Sequence, residues 1–74
     1  METTIKLPDI EAVQNFVKAA SETNCDVLVS KEGYKYMIDG TSILGMLTVV
    51  GSRIIVKCMT ATASFKNLVE RYNV

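Results

Sequence analysis

The spacing of apolar residues alternates between two periods along this chain, and this alternation constrains the fold more than any other feature of the sequence. Where apolar residues occupy every second position, we expect short strands with one buried face. Four segments show this spacing: 3–7, 25–30, 34–39 and 53–59. Where apolar residues recur three or four positions apart, we expect amphipathic helices. Two segments show that spacing: 10–20 and 65–72.

A third, shorter helix is predicted at residues 43–47, although the composition of this segment is also typical of a strand. Ser42 is a good helix N-cap and Gly45 interrupts the apolar run, so we favour one or two turns of helix. Pro8 ends the first strand, and Asp9 is the expected N-cap of the helix that follows. The last helix has three candidate N-caps, between which the sequence does not choose: Thr60, Thr62 and Ser64.

The resulting order, strand–helix–strand–strand–helix–strand–helix, predicts one α+β domain over residues 1–74. The two-layer arrangement that fits this order is a four-stranded, mainly antiparallel sheet with three helices on one face. Residues 31–33 are expected to form the short turn of a hairpin between the second and third strands. Tyr34 and Tyr36 share one face of the predicted third strand, where packing on the sheet accounts for them.

The charge balance and the absence of histidine exclude several classes of function. Eight Lys and Arg residues balance eight Asp and Glu residues, so no basic surface is expected to attract nucleic acid or an anionic membrane. Without histidine the chain has no imidazole base, no histidine metal ligand and no phosphohistidine. Its four glycines form no phosphate-binding motif. We therefore expect a protein that is not an enzyme and that has neither a metal nor another cofactor.

The two cysteines, Cys25 and Cys58, lie far apart and lack the spacing of a redox or zinc motif. We interpret them as small buried side chains in a reducing cytosol rather than as a disulfide. The N-terminus lacks the basic and apolar regions of a secretory signal. The longest apolar run, residues 43–50, is too short to span a membrane. These features predict a cytoplasmic protein.

The short helix after Ser42 places a hydroxyl group directly before several large apolar side chains. Three of these side chains share one side of the helix: Ile43, Leu44 and Leu47. Met46 points away from that side. Either side could face the core, and in so small a domain the other would remain exposed. An exposed apolar patch is typical of a partner-binding surface, and a packed connector without a function is the alternative.

Two segments, together with the order of the elements, resemble the HPr family, the small phosphocarriers of the bacterial sugar phosphotransferase system. Residues 16–20, Phe-Val-Lys-Ala-Ala, are similar to the first helix of that family. Residues 42–47, Ser-Ile-Leu-Gly-Met-Leu, closely resemble the SIMGVM stretch of Gram-positive members. The alignment through these two segments covers nearly the whole chain. The resemblance implies the open-faced β-sandwich of the family.

The same alignment departs from the family where its phosphotransfer chemistry takes place. Typical members carry a GLHxRPA loop whose histidine accepts phosphate from enzyme I. The histidine position falls on Asp9, the arginine position on Glu11 and the proline position on Ala12. Glu11 reverses the charge that would stabilise a phosphoryl group, and Asp9 adds a second negative charge. The usual phosphocarrier activity is therefore not expected, and no catalytic residue is assigned.

A second family feature is retained at Ser42. In Gram-positive members the serine at this position is phosphorylated by an ATP-dependent kinase, and the phosphoserine form binds a transcriptional regulator. The resemblance implies that Ser42 is a regulatory phosphorylation site. The partner-docking patch of the family corresponds to Ile43, Leu44 and Leu47. Met46 corresponds to a more buried position.

The hypothesis from the sequence is therefore a non-catalytic, HPr-like regulatory protein of a bacterial cytoplasm. Its expected partners are proteins: a serine kinase and a transcriptional regulator, or components of the phosphotransferase system. Two alternatives stay open. One is a diverged phosphocarrier with residual phosphotransfer, through Asp9 or otherwise. The other is a structural module that forms a homodimer through the same apolar patch.

Overall fold

The computed structural model describes residues 1–23 and 25–74. Within these two ranges the chain forms four strands: β1 (Glu2–Lys6), β2 (Val27–Lys31), β3 (Ile38–Asp39) and β4 (Arg53–Cys58). The same ranges contain three helices: α1 (Ile10–Glu22), α2 (Ile43–Leu47) and α3 (Ala63–Arg71). The predicted element order is confirmed, including the assignment of residues 43–47 to a helix rather than to a strand.

The strands form one antiparallel sheet in the order β1-β4-β2-β3. In its register Ile5 lies opposite Ile54. Val29 of β2 lies opposite Ile38 of β3 on one side and opposite Val56 of β4 on the other. Because successive side chains of a strand point to opposite faces, these residues share one apolar face, and all of them are buried. The helices cover this face and leave the other open, which confirms the predicted α+β open-faced sandwich.

The core lies between the sheet and the helices. Phe16 of α1 and Phe65 of α3 are fully buried, and their ring centroids lie 5.5 Å apart in a tilted arrangement. Such an aromatic pair adds to the stabilisation that burial of the two rings already provides. Met46 of α2 is also fully buried. The structure thus decides which side of α2 faces the core.

The two longer helices begin at side-chain caps. Asp9 Oδ1 accepts a hydrogen bond from the Ala12 N–H at 2.8 Å, as the sequence predicts. Thr62 Oγ1 accepts one from the Phe65 N–H at 3.2 Å, which identifies the cap of α3 among its three candidates. A cap of this kind typically stabilises a helix by about 1 kcal/mol.

The ends of several elements differ by one or two residues from the prediction. Helix α1 continues to Glu22 rather than ending at residue 20. Strand β1 ends at Lys6, and β2 begins at Val27 rather than at residue 25. The sequence favours a break between the first helix and the next strand over residues 21–24, but α1 includes residues 21 and 22, and Asn24 lies outside the described residues. The ends of elements depend on single hydrogen bonds, to which hydrophobic periodicity is insensitive.

The predicted third strand, residues 34–39, is wrong for its first four residues. Strand β3 pairs with β2 at only two positions. The preceding turn is closed by a hydrogen bond from the Tyr34 N–H to the Lys31 carbonyl oxygen at 2.9 Å, with Gly33 at a φ of +89°. Glycine adopts this left-handed conformation without steric cost. The turn itself is therefore where the sequence predicts it, but the chain leaves the ladder after it.

Tyr34 and Tyr36 do not pack on the sheet. Their rings pack on each other edge to face, with centroids 6.2 Å apart, and both remain exposed. Lys31 Nζ lies 4.9 Å from the centroid of the Tyr34 ring, a distance typical of a cation–π contact. The contacts of these rings are thus local and lie before β3.

Cys25 and Cys58 form a disulfide, so the interpretation of both as free thiols is wrong. Strands β2 and β4 are neighbours, and Val27 lies opposite Cys58. Cys25 precedes Val27 by two residues, and its Cα atom lies 6.5 Å from that of Cys58. This separation is within the range of disulfides. The two cysteines are 33 positions apart in the sequence, and only the adjacency of β2 and β4 brings them together.

The outer edge of β1 is covered by residues 72–74. The Lys6 N–H donates to the Tyr72 carbonyl oxygen at 3.0 Å, and the Val74 N–H donates to the Thr4 carbonyl oxygen at 3.3 Å. A covered edge resists the addition of another strand. The structure therefore disfavours pairing of a second copy along β1.

Candidate functional site

The segment that leads into α2 is held by local hydrogen bonds. Asp39 Oδ1 accepts from the Thr41 N–H at 2.9 Å and from the Thr41 hydroxyl at 2.7 Å. These backbone and side-chain hydrogen bonds lower the pKa of the Asp39 carboxyl below its ordinary value. The Ser42 N–H donates to the Asp39 carbonyl oxygen at 3.0 Å. The position of Ser42 is thus set from the end of β3.

Ser42 is the N-cap of α2, as its place in the sequence predicts. Its Oγ accepts a hydrogen bond from the Gly45 N–H at 3.2 Å. The side chain is half-buried, and a Cβ atom on Gly45 would lie 3.3 Å from Ser42 Oγ and 2.9 Å from Ile38 Cγ2. The small residue at position 45 therefore lets the first turn of α2 approach β3 closely.

The predicted apolar patch is exposed in two of its three members. Leu44 is 78% exposed and Ile43 is 40% exposed. Leu47 is half-buried and packs against the core, so it contributes less accessible surface. Met46 occupies the opposite, buried side of α2. A solvent-exposed leucine preceded by an exposed isoleucine is a surface that a protein partner could cover.

Ile10 is a further exposed apolar residue that the sequence does not assign to a site. It begins α1, which packs against α2, and 57% of its surface is accessible. The helical spacing of apolar residues places it in the buried stripe of α1. Ala12 in the same first turn is buried, so Ile10 faces away from the core at a point where the helix already contacts it. No pattern in the sequence distinguishes it from the buried members of that stripe.

Asp9 and Glu11, which the resemblance in sequence aligns with the histidine and arginine of the HPr loop, are both exposed at the start of α1. The Asp9 carboxylate is engaged in capping the helix. In residues 1–23 and 25–74, no Lys or Arg side chain forms an ion pair with either carboxylate; the ion pairs there are Arg53–Glu32 and Lys57–Glu2. The start of α1 thus carries two exposed carboxylates, neither of which is paired with a Lys or Arg side chain in the described ranges.

The described part of the chain contains no group of three or more Cys, Asp and Glu side chains arranged to hold a metal ion. Also within that part, no helix has both the length and the apolar character needed to cross a bilayer.

Comparison with known proteins identifies the fold. No family model matches the sequence, and no curated protein matches it. Among solved structures, the chain is similar to the phosphocarrier protein HPr from Bacillus anthracis str. Ames, with a TM-score of 0.71. The match covers 99% of this chain and 96% of that one at 17% sequence identity. The fold is therefore that of the HPr phosphocarriers, as the resemblance in sequence implies.

Proposed function

We propose that this protein is a non-catalytic regulatory protein with the HPr fold, which binds partner proteins through α2 and is switched by phosphorylation of Ser42. The observation that carries the proposal is the combination of a capping serine with a directly adjacent, exposed leucine in a chain without histidine. The proposed partners are a serine kinase and a transcriptional regulator, or phosphotransferase system components. The proposed location is the bacterial cytoplasm.

Phosphorylation of Ser42 would change the charge at the border of the apolar patch. A phosphoserine carries a charge of about −1.5 to −2 at neutral pH and three strong acceptor oxygens. In the unmodified protein the Ser42 Oγ accepts from the Gly45 N–H, and Ile43 and Leu44 follow immediately. A partner that contacts both the phosphate and Leu44 would distinguish the two forms by charge and by apolar contact.

Phosphotransfer through Asp9 is less well supported. An acyl phosphate on Asp9 would remove the oxygen charge that caps α1, and it would lie two positions from the exposed carboxylate of Glu11. The capping hydrogen bond already accounts for an aspartate at this position. A second copy of this chain is an alternative partner for the same patch of α2, and sedimentation measures such a homodimer directly.

The decisive experiment is intact-mass analysis after two parallel incubations. One contains ATP with an HPr-type serine kinase, and the other contains phosphoenolpyruvate with enzyme I. We expect one phosphate in the first incubation, mapped to Ser42, and none in the second. Ser42→Asn keeps a side-chain cap and removes the hydroxyl, so it should abolish the modification without unfolding α2. Ser64→Ala, which changes an exposed serine in the first turn of α3, is the matched control and should be modified normally.

The contribution of the apolar patch is measured with the same kinase. Leu44→Ala should lower kcat/KM for phosphorylation of Ser42, because it removes the most exposed side chain of α2. Met59→Ala is the control, since Met59 is 92% exposed but lies outside α2. Equal kcat/KM values for both variants would contradict a docking role for Leu44. Phosphate in the second incubation alone, lost in Asp9→Asn, would support the phosphocarrier alternative instead.

A further inference from the structure

The start of β2 lies between the disulfide and the segment that leads to Ser42. Cys25 precedes β2 by two residues and is bonded to Cys58 at the end of β4. On the other side, the Val27 carbonyl oxygen accepts a hydrogen bond from the Gly40 N–H at 2.7 Å. A Cβ atom on Gly40 would lie only 2.6 Å from Val27 Cγ1, so the two segments are in close contact.

From this arrangement we propose that the Cys25–Cys58 pair is a redox-modification site whose state controls the mobility of the segment leading to Ser42. The inference gives the proposed phosphorylation site a second level of regulation, and that consequence rests on the proposed function. The structural coupling itself does not rest on the proposed function, because it concerns only the disulfide and the hydrogen bond between Gly40 and Val27.

The two cysteines are held unequally once their bond is broken. The Cys58 backbone is fixed to the beginning of β1, since its N–H donates to the Met1 carbonyl oxygen at 2.9 Å and its own carbonyl oxygen accepts from the Met1 amino group at 2.6 Å. Cys25 lies outside the strands, before the first β2–β4 pair. Reduction therefore frees Cys25 from β4, while Val27 stays opposite Cys58 in the ladder. The inference is that loss of this anchor loosens the adjoining start of β2, where the Val27 carbonyl oxygen holds the Gly40 N–H.

The disulfide is accessible to a reductant from one side. It lies in an open groove of about 800 Å³ that is also lined by Leu28, Lys57 and Met59. Cys25 is half-buried, whereas Cys58 is only 3% exposed, so Cys25 is the more accessible partner of the bond.

The reductant we propose is a dithiol. One of its thiolates attacks Cys25 Sγ, the bond between the two cysteines breaks, and Cys58 leaves as a thiolate that takes up a proton. The second thiol of the reductant then attacks the mixed disulfide and releases Cys25. Two electrons pass to the protein, which ends with two thiols, and the reductant ends as a disulfide.

The test compares amide hydrogen exchange in the oxidised and the dithiol-reduced full-length protein. The Gly40 amide reports on the proposed coupling. The Gly51 amide is a matched reference, because it also belongs to a loop glycine and donates to a backbone oxygen, that of Leu7, at 2.8 Å. We expect reduction to accelerate exchange at Gly40 by about tenfold or more relative to Gly51. Cys25→Ala should show the reduced pattern with and without the dithiol.

Three results would overturn the inference. Equal acceleration at Gly40 and Gly51 would mean that the disulfide supports only global stability, and unchanged exchange at both would mean no coupling. Two free thiols in the protein before any reductant is added would remove the site. The rate of Ser42 phosphorylation is then measured in both redox states. A kinase that modifies neither state contradicts the proposed function, while the exchange data still decide the redox inference.

Discussion

Removing the Cys25–Cys58 disulfide should cost this protein a large part of its stability. The bond spans 33 positions of the sequence and encloses β2, β3, α2 and β4. For a closed loop of this length, the chain-entropy relation predicts a stabilisation of about 4 kcal/mol at 25 °C. A domain of 74 residues typically has a free energy of unfolding of about 4 to 11 kcal/mol. Loss of the bond should therefore lower Tm by about 15 to 30 °C.

Urea unfolding followed by far-ultraviolet circular dichroism measures this loss, with and without a phosphine reductant. We expect reduction to lower the midpoint by about 2 M or more. Cys25→Ala is the control, since it should match the reduced protein and show no response to the reductant. Equal midpoints for the oxidised and reduced forms would refute the reasoning from loop entropy. Two titratable thiols in the untreated protein would refute the pairing itself.

Three further predictions concern the segment before α2. Ser42→Ala should lower the free energy of unfolding by about 1 kcal/mol through loss of the cap, whereas Ser42→Asn should be nearly neutral in the same urea titration. Because the pKa of Asp39 is lowered in the folded state, its contribution to stability is present above the unfolded-state pKa and is lost as the pH falls through the folded-state value. An NMR titration of the Asp39 carboxyl should therefore give a midpoint below that of an unfolded peptide, and Thr41→Ala should reduce the difference. Gly40→Ala should destabilise the protein by about 1 to 3 kcal/mol in thermal unfolding, because the new Cβ atom would overlap Val27; an unchanged Tm would contradict this contact.

The parts of this molecule that local sequence determines were predictable. Asp9 caps α1 and Ser42 caps α2 because each side chain reaches an N–H group three positions later. The buried face of the sheet follows from the alternation of apolar residues, as at Ile5 and Ile54. These features require no knowledge of which strands are neighbours.

The parts that depend on contacts between distant segments were not predictable. Cys25 and Cys58 meet only because β4 inserts between β1 and β2, an order that strand periodicity does not encode. Residues 34–37 lie outside the ladder, and the ring of Tyr34 contacts Tyr36 and Lys31 rather than a neighbouring strand. Strand propensity alone overestimates the length of such a strand. It measures how well side chains fit a sheet, and it does not show whether a neighbouring strand is there to pair with.

The disulfide is compatible with the proposed cytoplasmic location only if the bond forms and breaks in the cell. In the cytosol of most organisms, reductants keep thiols reduced, and the disulfides that do occur there are usually transient or redox-sensing. A permanent structural bond between Cys25 and Cys58 would therefore argue for another compartment. A bond that forms and breaks would instead leave the start of β2 anchored in one state and released in the other. Because Gly40 hydrogen-bonds to that strand and Ser42 follows two residues later, the redox state would then act on the same segment as phosphorylation.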